Sequence, residues 1–229
     1  MDAPNIELDR MTGETAGELA YRQIRRDIVF GTLGPGTRLR LESLKTPYLA
    51  SVSTLREVFN RLASERFVVA EDQRGFRVTP VSQNHFREIA GMRELLECHA
   101  LRRAFERGDL EWESQVVAAH YKLAKMEALL ANGEVGHTET WKRYDREFHS
   151  ALIAPCGSKT LMETYRRIFD HYLRYQIIAV IYRGDAAATE HRLLLECALR
   201  RDAASACEIL SRHIRACVEH TLDAGLIGQ

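Results

Sequence analysis

The chain has 229 residues, and its 32 Lys and Arg residues balance its 32 Asp and Glu residues, so its formal net charge is zero. With 45% hydrophobic and 28% charged residues, it is not a collagen-like, low-complexity or wholly disordered protein. Its length allows one large domain or two smaller ones.

Three features of the sequence concern its cellular setting. The longest aliphatic run, residues 177–181, is far shorter than the roughly 20 residues that a membrane span requires. The N-terminus lacks the basic and apolar regions of a secretory signal, so we expect a cytoplasmic protein without membrane contact. The five cysteines form no CxxC pair and lie among apolar positions, which favours free buried thiols over a redox or zinc-thiolate role.

The neutral total hides an uneven distribution of charge. Residues 1–19 carry five acidic residues and one Arg, whereas residues 20–80 carry eleven basic and six acidic residues. Residues 81–229 are almost balanced, with 20 basic and 21 acidic residues. Because local charge governs binding to nucleic acid, the segment 20–80 is a candidate DNA-binding region.

The first part of the chain predicts three short helices followed by a β-hairpin. Helices are expected near residues 18–30 and 41–49, and a third begins at Ser51 or Ser53, either of which can cap it. Residues 67–70 and 76–79 predict two strands joined by a polar turn. This layout is typical of a winged helix-turn-helix, which binds DNA.

The second part of the chain predicts only helices. They are expected near residues 83–107, 110–131, 137–154, 158–183, 186–200 and 203–224. Pro80 lies where the pattern changes and marks the boundary. We therefore predict a mainly α protein, with a winged helix-turn-helix DNA-binding domain over residues 1–80, of which 1–17 are flexible, and an all-α helical bundle effector domain over residues 81–229.

The start of the third helix is the candidate recognition segment, because that end of a recognition helix contacts base edges. Arg56 can bind a guanine or a phosphate, the hydroxyl side chains can bind either, and Val52 can contact a thymine methyl group. The alternative is a capped surface helix with an exposed arginine. The predicted DNA-contacting residues are Arg38, Ser51, Val52, Ser53, Thr54, Arg56, Arg74 and Gly75.

Four potential metal ligands lie on helical stripes that are otherwise apolar: Asp145, His149, His191 and His213. Buried carboxylates and imidazoles need partners, and one metal ion would satisfy all four. This donor set predicts a divalent metal, Zn²⁺ first, with Ni²⁺, Fe²⁺, Co²⁺ or Mn²⁺ as alternatives, and coordination positions left open. The competing interpretation is a set of hydrogen-bonded core histidines.

Arg93 also lies on an apolar helix face and needs an anionic partner. It can pair with Glu97, one turn on, or bind the carboxylate of a small molecule. Tyr172 and Arg174 are further candidates for the same cavity. The predicted effector-binding residues are therefore Arg93, Tyr172 and Arg174.

The sequence resembles the GntR family of bacterial transcription regulators in both parts. The N-terminal matches are Ile24, Ile28, Gly31, Leu33, Pro35, Gly36, Leu39, Thr54 to Val58, Leu62, Glu65, Arg74 to Phe76, and Val78. Where this chain has Leu49, Val52, Ser53 and Thr54, the family usually has Gly, Arg, Thr and Pro, respectively. The C-terminal matches, to the helical FCD effector domain of the fatty-acid-regulator-like branch, are Arg93, Leu96, Glu97, Asp145, Phe148, His149, Glu190, His191 and His213.

The resemblance implies a DNA-binding transcriptional regulator, expected to be a repressor rather than an enzyme. It implies a helical domain that binds a divalent metal through Asp145, His149, His191 and His213, forms a homodimer and senses a small carboxylic acid. The symmetry of a dimer predicts a palindromic double-stranded DNA operator. Two alternatives remain, an all-helical metal-dependent enzyme and a regulator whose metal is only structural.

Overall fold

The computed structural model describes residues 13–71, 75–179 and 182–228. Within the chain, contacts define two compact units, residues 1–81 and residues 82–229. Arg74, a predicted DNA-contacting residue, lies outside the described residues. Among the described helices, none has both the length and the apolar character needed to cross a bilayer.

The first unit has the predicted winged helix-turn-helix architecture. Its elements are α1 (Ala16–Val29), β1 (Arg38–Leu39), α2 (Leu41–Leu44), α3 (Val52–Ser64), β2 (Val68–Glu71) and β3 (Gly75–Val78). Helix α1 begins at Ala16 because Thr15 and Glu18 form a reciprocal capping box. Ser51, rather than Ser53, caps α3 by accepting a hydrogen bond from the Thr54 amide.

The sequence analysis missed one strand and extended one helix too far. Strand β1 pairs antiparallel with β3, so the wing is a three-stranded sheet in the order β1-β3-β2. Two residues are too few to produce an alternating pattern, which is why β1 was not predicted. Helix α2 ends at Leu44 rather than at residue 49, because Pro47 has no backbone N–H with which to continue the helix. Leu49, at the end of the following turn, adopts a left-handed conformation with φ of 48°.

The second unit is an all-helical bundle, as predicted. Its helices are α4 (Gln83–Arg107), α5 (Leu110–Ala131), α6 (Thr138–Ile153), α7 (Lys159–Ala179), α8 (Asp185–Arg200) and α9 (Ala203–Asp223), with a 3₁₀ turn at Ala154–Cys156. Helix α4 packs on α7 and α9, α5 packs on α6 and α8, and α8 packs on α9. All five cysteines are buried and free.

Leu49 provides a test of backbone strain in the helix-turn-helix. A left-handed conformation costs an L-residue about 1–2 kcal/mol, and glycine avoids that cost at the expense of some chain entropy. The Leu49 side chain is 59% exposed, so its removal sacrifices little packing. We expect Leu49→Gly to raise the free energy of unfolding by about 0.5–1 kcal/mol in denaturant titrations. Leu49→Ala, which keeps the strain, is the control, and equal stability of the two variants would contradict this explanation.

Candidate metal centre and DNA-reading helix

Three helices of the second unit bring four potential metal ligands together. Asp145 and His149 are one turn apart on α6, His191 lies on α8 and His213 lies on α9. All four residues are buried, and one potential ligand atom from each lies within 4.8 Å of the others. The structure thus brings together the four residues that the sequence analysis found on the apolar stripes of three separate helices.

Each of the three histidines is oriented by a glutamate. In every case the imidazole Nδ1 is within hydrogen-bonding distance of a carboxylate oxygen. The distances are 2.5 Å for His149 and Glu97, 2.7 Å for His191 and Glu127, and 2.9 Å for His213 and Glu190. A carboxylate at Nδ1 keeps the proton on that nitrogen and leaves the Nε2 lone pair available, which is the usual arrangement around metal-bound histidines.

The inward-facing nitrogens fit a cation. His149 Nε2 and His191 Nε2 are buried without a hydrogen-bond partner. They lie 3.9 Å and 3.4 Å from the same oxygen, Oδ1 of Asp145. Buried nitrogens without partners are costly, and a divalent ion held by imidazoles and one carboxylate would remove that cost. The donor set therefore suits a metal.

The environment of the cluster favours the metal-binding forms of Asp145, His149 and His213, whereas His191 holds its proton more tightly. Burial raises the pKa of Asp145, but nearby Lys142 and the two closest histidines lower it well below its usual value. Burial lowers the pKa of His149 and, together with the neighbouring histidines, that of His213. Burial also lowers the pKa of His191, but the nearby carboxylates of Asp145 and Glu127 raise it to about 9. A metal would displace this last proton.

Arg93 makes the contact with Glu97 that the sequence analysis considered as one of two possibilities. Its Nε donates to Glu97 Oε2 at 3.0 Å, and its guanidinium lies 4.5 Å from the ring centres of Phe169 and Tyr172. Glu97 thereby bridges Arg93 and His149. Arg174 is buried on α7, and burial lowers its pKa to about 10 although the charge of Tyr175 raises it.

A small cavity borders the cluster, and its other residues were not among the predicted sites. Besides Asp145, His191 and His213 it is lined by Trp141, Lys142, Gln176, Arg183, Ala187, Cys217, His220 and Thr221. Arg93, Tyr172 and Arg174 do not line it. Lys142 lies one turn before Asp145, and Glu127 lies on the buried stripe of α5. A charged residue on an apolar stripe was the indication that identified Asp145, and it applies equally to these two residues.

The start of α3 carries the predicted DNA-contacting side chains at its N-terminus. The hydroxyl of Ser51 lies 2.8 Å from that of Ser53 and 2.9 Å from that of Thr54. Val52 is half-buried, whereas Arg56 is exposed. The hydroxyl groups therefore satisfy one another in the absence of DNA, and Arg56 is accessible.

The two remaining predicted DNA contacts lie in the wing. Arg38 is exposed on β1, with its Nε 3.7 Å from Glu71. Gly75 begins β3 with φ of +93°, and an added Cβ would lie 3.2 Å from the Leu39 carbonyl oxygen. The wing therefore requires glycine at this position for a backbone reason as well.

The winged helix-turn-helix and the helical second unit together define a DNA-binding transcriptional regulator. The family model described as "Bacterial regulatory proteins, gntR family" matches residues 17–78, and the model "FCD domain" matches residues 88–216. The chain belongs to the GntR family and carries an FCD domain. These families and relatives are transcriptional regulators and not enzymes.

Relatives and solved structures agree with this assignment. The HTH-type regulator BphR of Paraburkholderia xenovorans is 34% identical, over 92% of this chain and 86% of that protein. The HTH-type transcriptional repressor GlaR of Escherichia coli is 32% identical, over 85% of this chain and 90% of that protein. The fold matches E. coli McbR/YncC with a TM-score of 0.79 and 18% identity, covering 92% of this chain and 98% of that chain. A GntR regulator from Rhodococcus sp. RHA1 matches with a TM-score of 0.74 and 22% identity, covering 91% and 98%.

The carboxylate contact of His191 yields a prediction about metal affinity. Glu127→Gln keeps the size of the side chain but removes the charge that strengthens the imidazole as a ligand. We expect metal affinity to fall about 10-fold, within the 10–100-fold range typical of such partners.

The doubly substituted His191→Ala, His213→Ala protein should lose the metal in elemental analysis. Glu208→Gln, an exposed glutamate of α9, is the control, and unchanged metal content in the double variant would refute the assignment.

Proposed function

We propose that this regulator is a homodimeric, cytoplasmic repressor whose FCD domain holds a divalent metal and responds to a small carboxylic acid. The observation that carries the proposal is the convergence of three glutamate-oriented imidazoles on Asp145. The metal ligands would be Asp145, His149, His191 and His213. Zn²⁺ is the first candidate because nitrogen-rich, four-ligand sites suit it, with Ni²⁺, Fe²⁺, Co²⁺ and Mn²⁺ as alternatives.

The cavity beside the cluster supports a small-molecule effector. A metal ion that takes more than four ligands would have coordination positions that the four protein residues do not fill. A carboxylate bound in the cavity would occupy those positions. The metal supplies an electrophilic anchor for such a carboxylate, and the protein supplies shape and further contacts. Effector binding would regulate DNA binding if it changes operator affinity by about 1–3 kcal/mol, or roughly 5- to 150-fold. A metal with only a structural role would produce no such change.

Repression and a palindromic operator complete the proposal. Repression is supported by relatives named as repressors, GlaR and the 24%-identical RspR, both of E. coli. The predicted DNA contacts are Arg38 and Arg74–Gly75 of the wing and Ser51, Val52, Ser53, Thr54 and Arg56 at the start of α3. Two such units related by a two-fold axis would read a palindrome.

An exposed face of α4 is suited to pairing with a second copy. Met92 and Leu95 are 41% and 63% exposed, and with Glu88, His99 and Arg102 they follow the alternating spacing of four and three residues that forms a helix-pairing seam. Glu88 and Arg102 each lie seven residues from Leu95. An antiparallel copy centred on Leu95 would therefore bring each glutamate opposite the arginine of the partner.

Arg56 tests the DNA-binding part of the proposal. Arg56→Ala should abolish binding to an operator selected from random DNA duplexes, because truncation removes a bidentate base or phosphate contact. Metal content should stay unchanged, since Arg56 lies in the other unit. Arg22→Ala, a control that removes an exposed arginine of α1, should bind nearly as the native protein. Simultaneous loss of DNA binding and metal in Arg56→Ala would indicate misfolding and remove the support.

Leu95 tests the dimer surface. Leu95→Glu places two like charges at the centre of the proposed antiparallel contact, so we expect a shift from dimer to monomer in analytical ultracentrifugation. Operator affinity should fall with it, since one DNA-binding unit provides only part of the binding energy. The control Leu110→Glu changes a leucine of α5 that is 80% exposed, and this variant should remain dimeric. A Leu95→Glu protein that stays dimeric would exclude this surface.

A further inference from the structure

Two of the five buried cysteines face each other across the contact between α4 and α9. Cys98 lies on α4, Cys207 lies on α9, and the S–H of Cys98 donates a hydrogen bond to the sulfur of Cys207. Each sulfur also reaches the backbone of the other residue. Cys98 Sγ is 3.8 Å from the Cys207 carbonyl oxygen, and Cys207 Sγ is 3.5 Å from the Cys98 carbonyl oxygen. Two thiols that are 109 positions apart in the sequence are therefore direct neighbours on packed helices.

The other three cysteines contact groups of a different kind. Cys156 Sγ donates to a backbone carbonyl oxygen two residues further along the chain. Cys197 and Cys217 accept hydrogen bonds from the side chains of Arg200 and Arg183, respectively. The contact between two thiols is thus a particular feature of the α4–α9 interface and not a general result of cysteine burial.

The surroundings of the pair make its two thiols unequal. The hydrogen bond from Cys98 lowers the pKa of Cys207 below its ordinary value, although burial raises it, and the positive charge of Arg102 lowers it further. The same hydrogen bond and burial raise the pKa of Cys98. Because the thiolate is the form that reacts with oxidants, Cys207 is the attacking sulfur and Cys98 the resolving one. The two residues are 8% and 7% exposed, whereas Cys156 is completely buried.

We propose that Cys98 and Cys207 form a redox switch, in which a peroxide converts the two thiols into a reversible disulfide that lowers operator affinity. The Cys207 thiolate attacks one peroxide oxygen, the O–O bond breaks, and a sulfenic acid forms while the other oxygen leaves as water or an alcohol. The Cys98 sulfur then attacks the sulfenic sulfur, the S–S bond forms, and the hydroxyl group leaves as water. In total the thiols lose two electrons and two protons, and the peroxide gains them.

The disulfide would change the position of the helix that carries the proposed dimer surface. It would bring the two sulfurs to about 2.05 Å, closer than two hydrogen-bonded thiols, so α4 and α9 must shift towards each other. Cys98 is next to His99 and three residues from Leu95, and both of these belong to the exposed pairing seam of α4. A shift towards α9 draws that seam away from the second copy. This step rests on the proposed function, in which the seam forms the dimer and tight operator binding requires two DNA-binding units.

Mass spectrometry of the full-length protein tests whether the disulfide forms. After hydrogen peroxide treatment, we expect the mass to fall by two hydrogen atoms and a peptide that contains Cys98 to be linked to one that contains Cys207. Dithiothreitol should reverse the change. Cys207→Ala should yield no linked peptides, whereas Cys197→Ala, the matched control on α8, should form the disulfide as the native protein does. Absence of the disulfide from the native protein, or linkage of other cysteines instead, would overturn the inference and leave the proposed repressor standing.

Operator binding by the same samples tests the regulatory effect. Peroxide should weaken operator binding by the native protein at least about 5-fold, which is the lower end of the usual coupling between sites, and dithiothreitol should restore it. Cys207→Ala should keep the affinity of the reduced protein after peroxide treatment, and Cys98→Ala serves the same purpose if Cys207→Ala fails to fold. A disulfide that forms without changing operator affinity would overturn the switch. Failure of the reduced native protein to bind any operator would overturn the proposed function and the switch with it.

Discussion

The helical domain depends on the hydrogen bonds between three imidazole Nδ1 atoms and three buried glutamates. Glutamates from α4, α5 and α8 fix histidines on α6, α8 and α9, so these contacts connect five of the six helices around one point. A buried carboxylate is tolerated only when it is paired, and each of these has an imidazole, with Arg93 or Arg183 as an additional partner in two cases. The divalent metal proposed for the centre of this cluster would offset part of the cost of burying these polar groups.

Helix α6 contributes different kinds of residue to the cluster and to the neighbouring cavity. Asp145 shares helix α6 with His149 on one side and with Trp141 and Lys142 on the other. One helix thus connects the candidate metal ligands with an end that carries two hydrogen-bond donors. In the winged helix-turn-helix unit, Ser51 likewise has two roles. It caps α3, and its hydroxyl contacts those of Ser53 and Thr54 at the helix end that faces bases in helix-turn-helix proteins.

Most of the fold and the cluster of four could be predicted from the sequence, since both depend on periodic patterns. Helix periodicity identified the helices of the second unit, and ionisable residues on apolar stripes identified Asp145 and the three histidines. Strand β1 was missed because two residues carry no period. The pairing of Glu127 with His191 could not be predicted, because the two residues are 64 positions apart in the sequence. The sequence could not decide whether Arg93 pairs with Glu97 or binds a small molecule, because i, i+4 spacing permits an ion pair without requiring it.

X-ray absorption spectroscopy of the purified, metal-loaded protein tests the central claim most directly. The account predicts one ion per chain with nitrogen and oxygen ligands at about 2.0–2.2 Å, and scattering from three imidazole rings. Because Cys217 lines the adjacent cavity, a sulfur ligand at about 2.3 Å is a realistic competing result. A sulfur shell, or a protein that takes up no stoichiometric metal, would contradict the account.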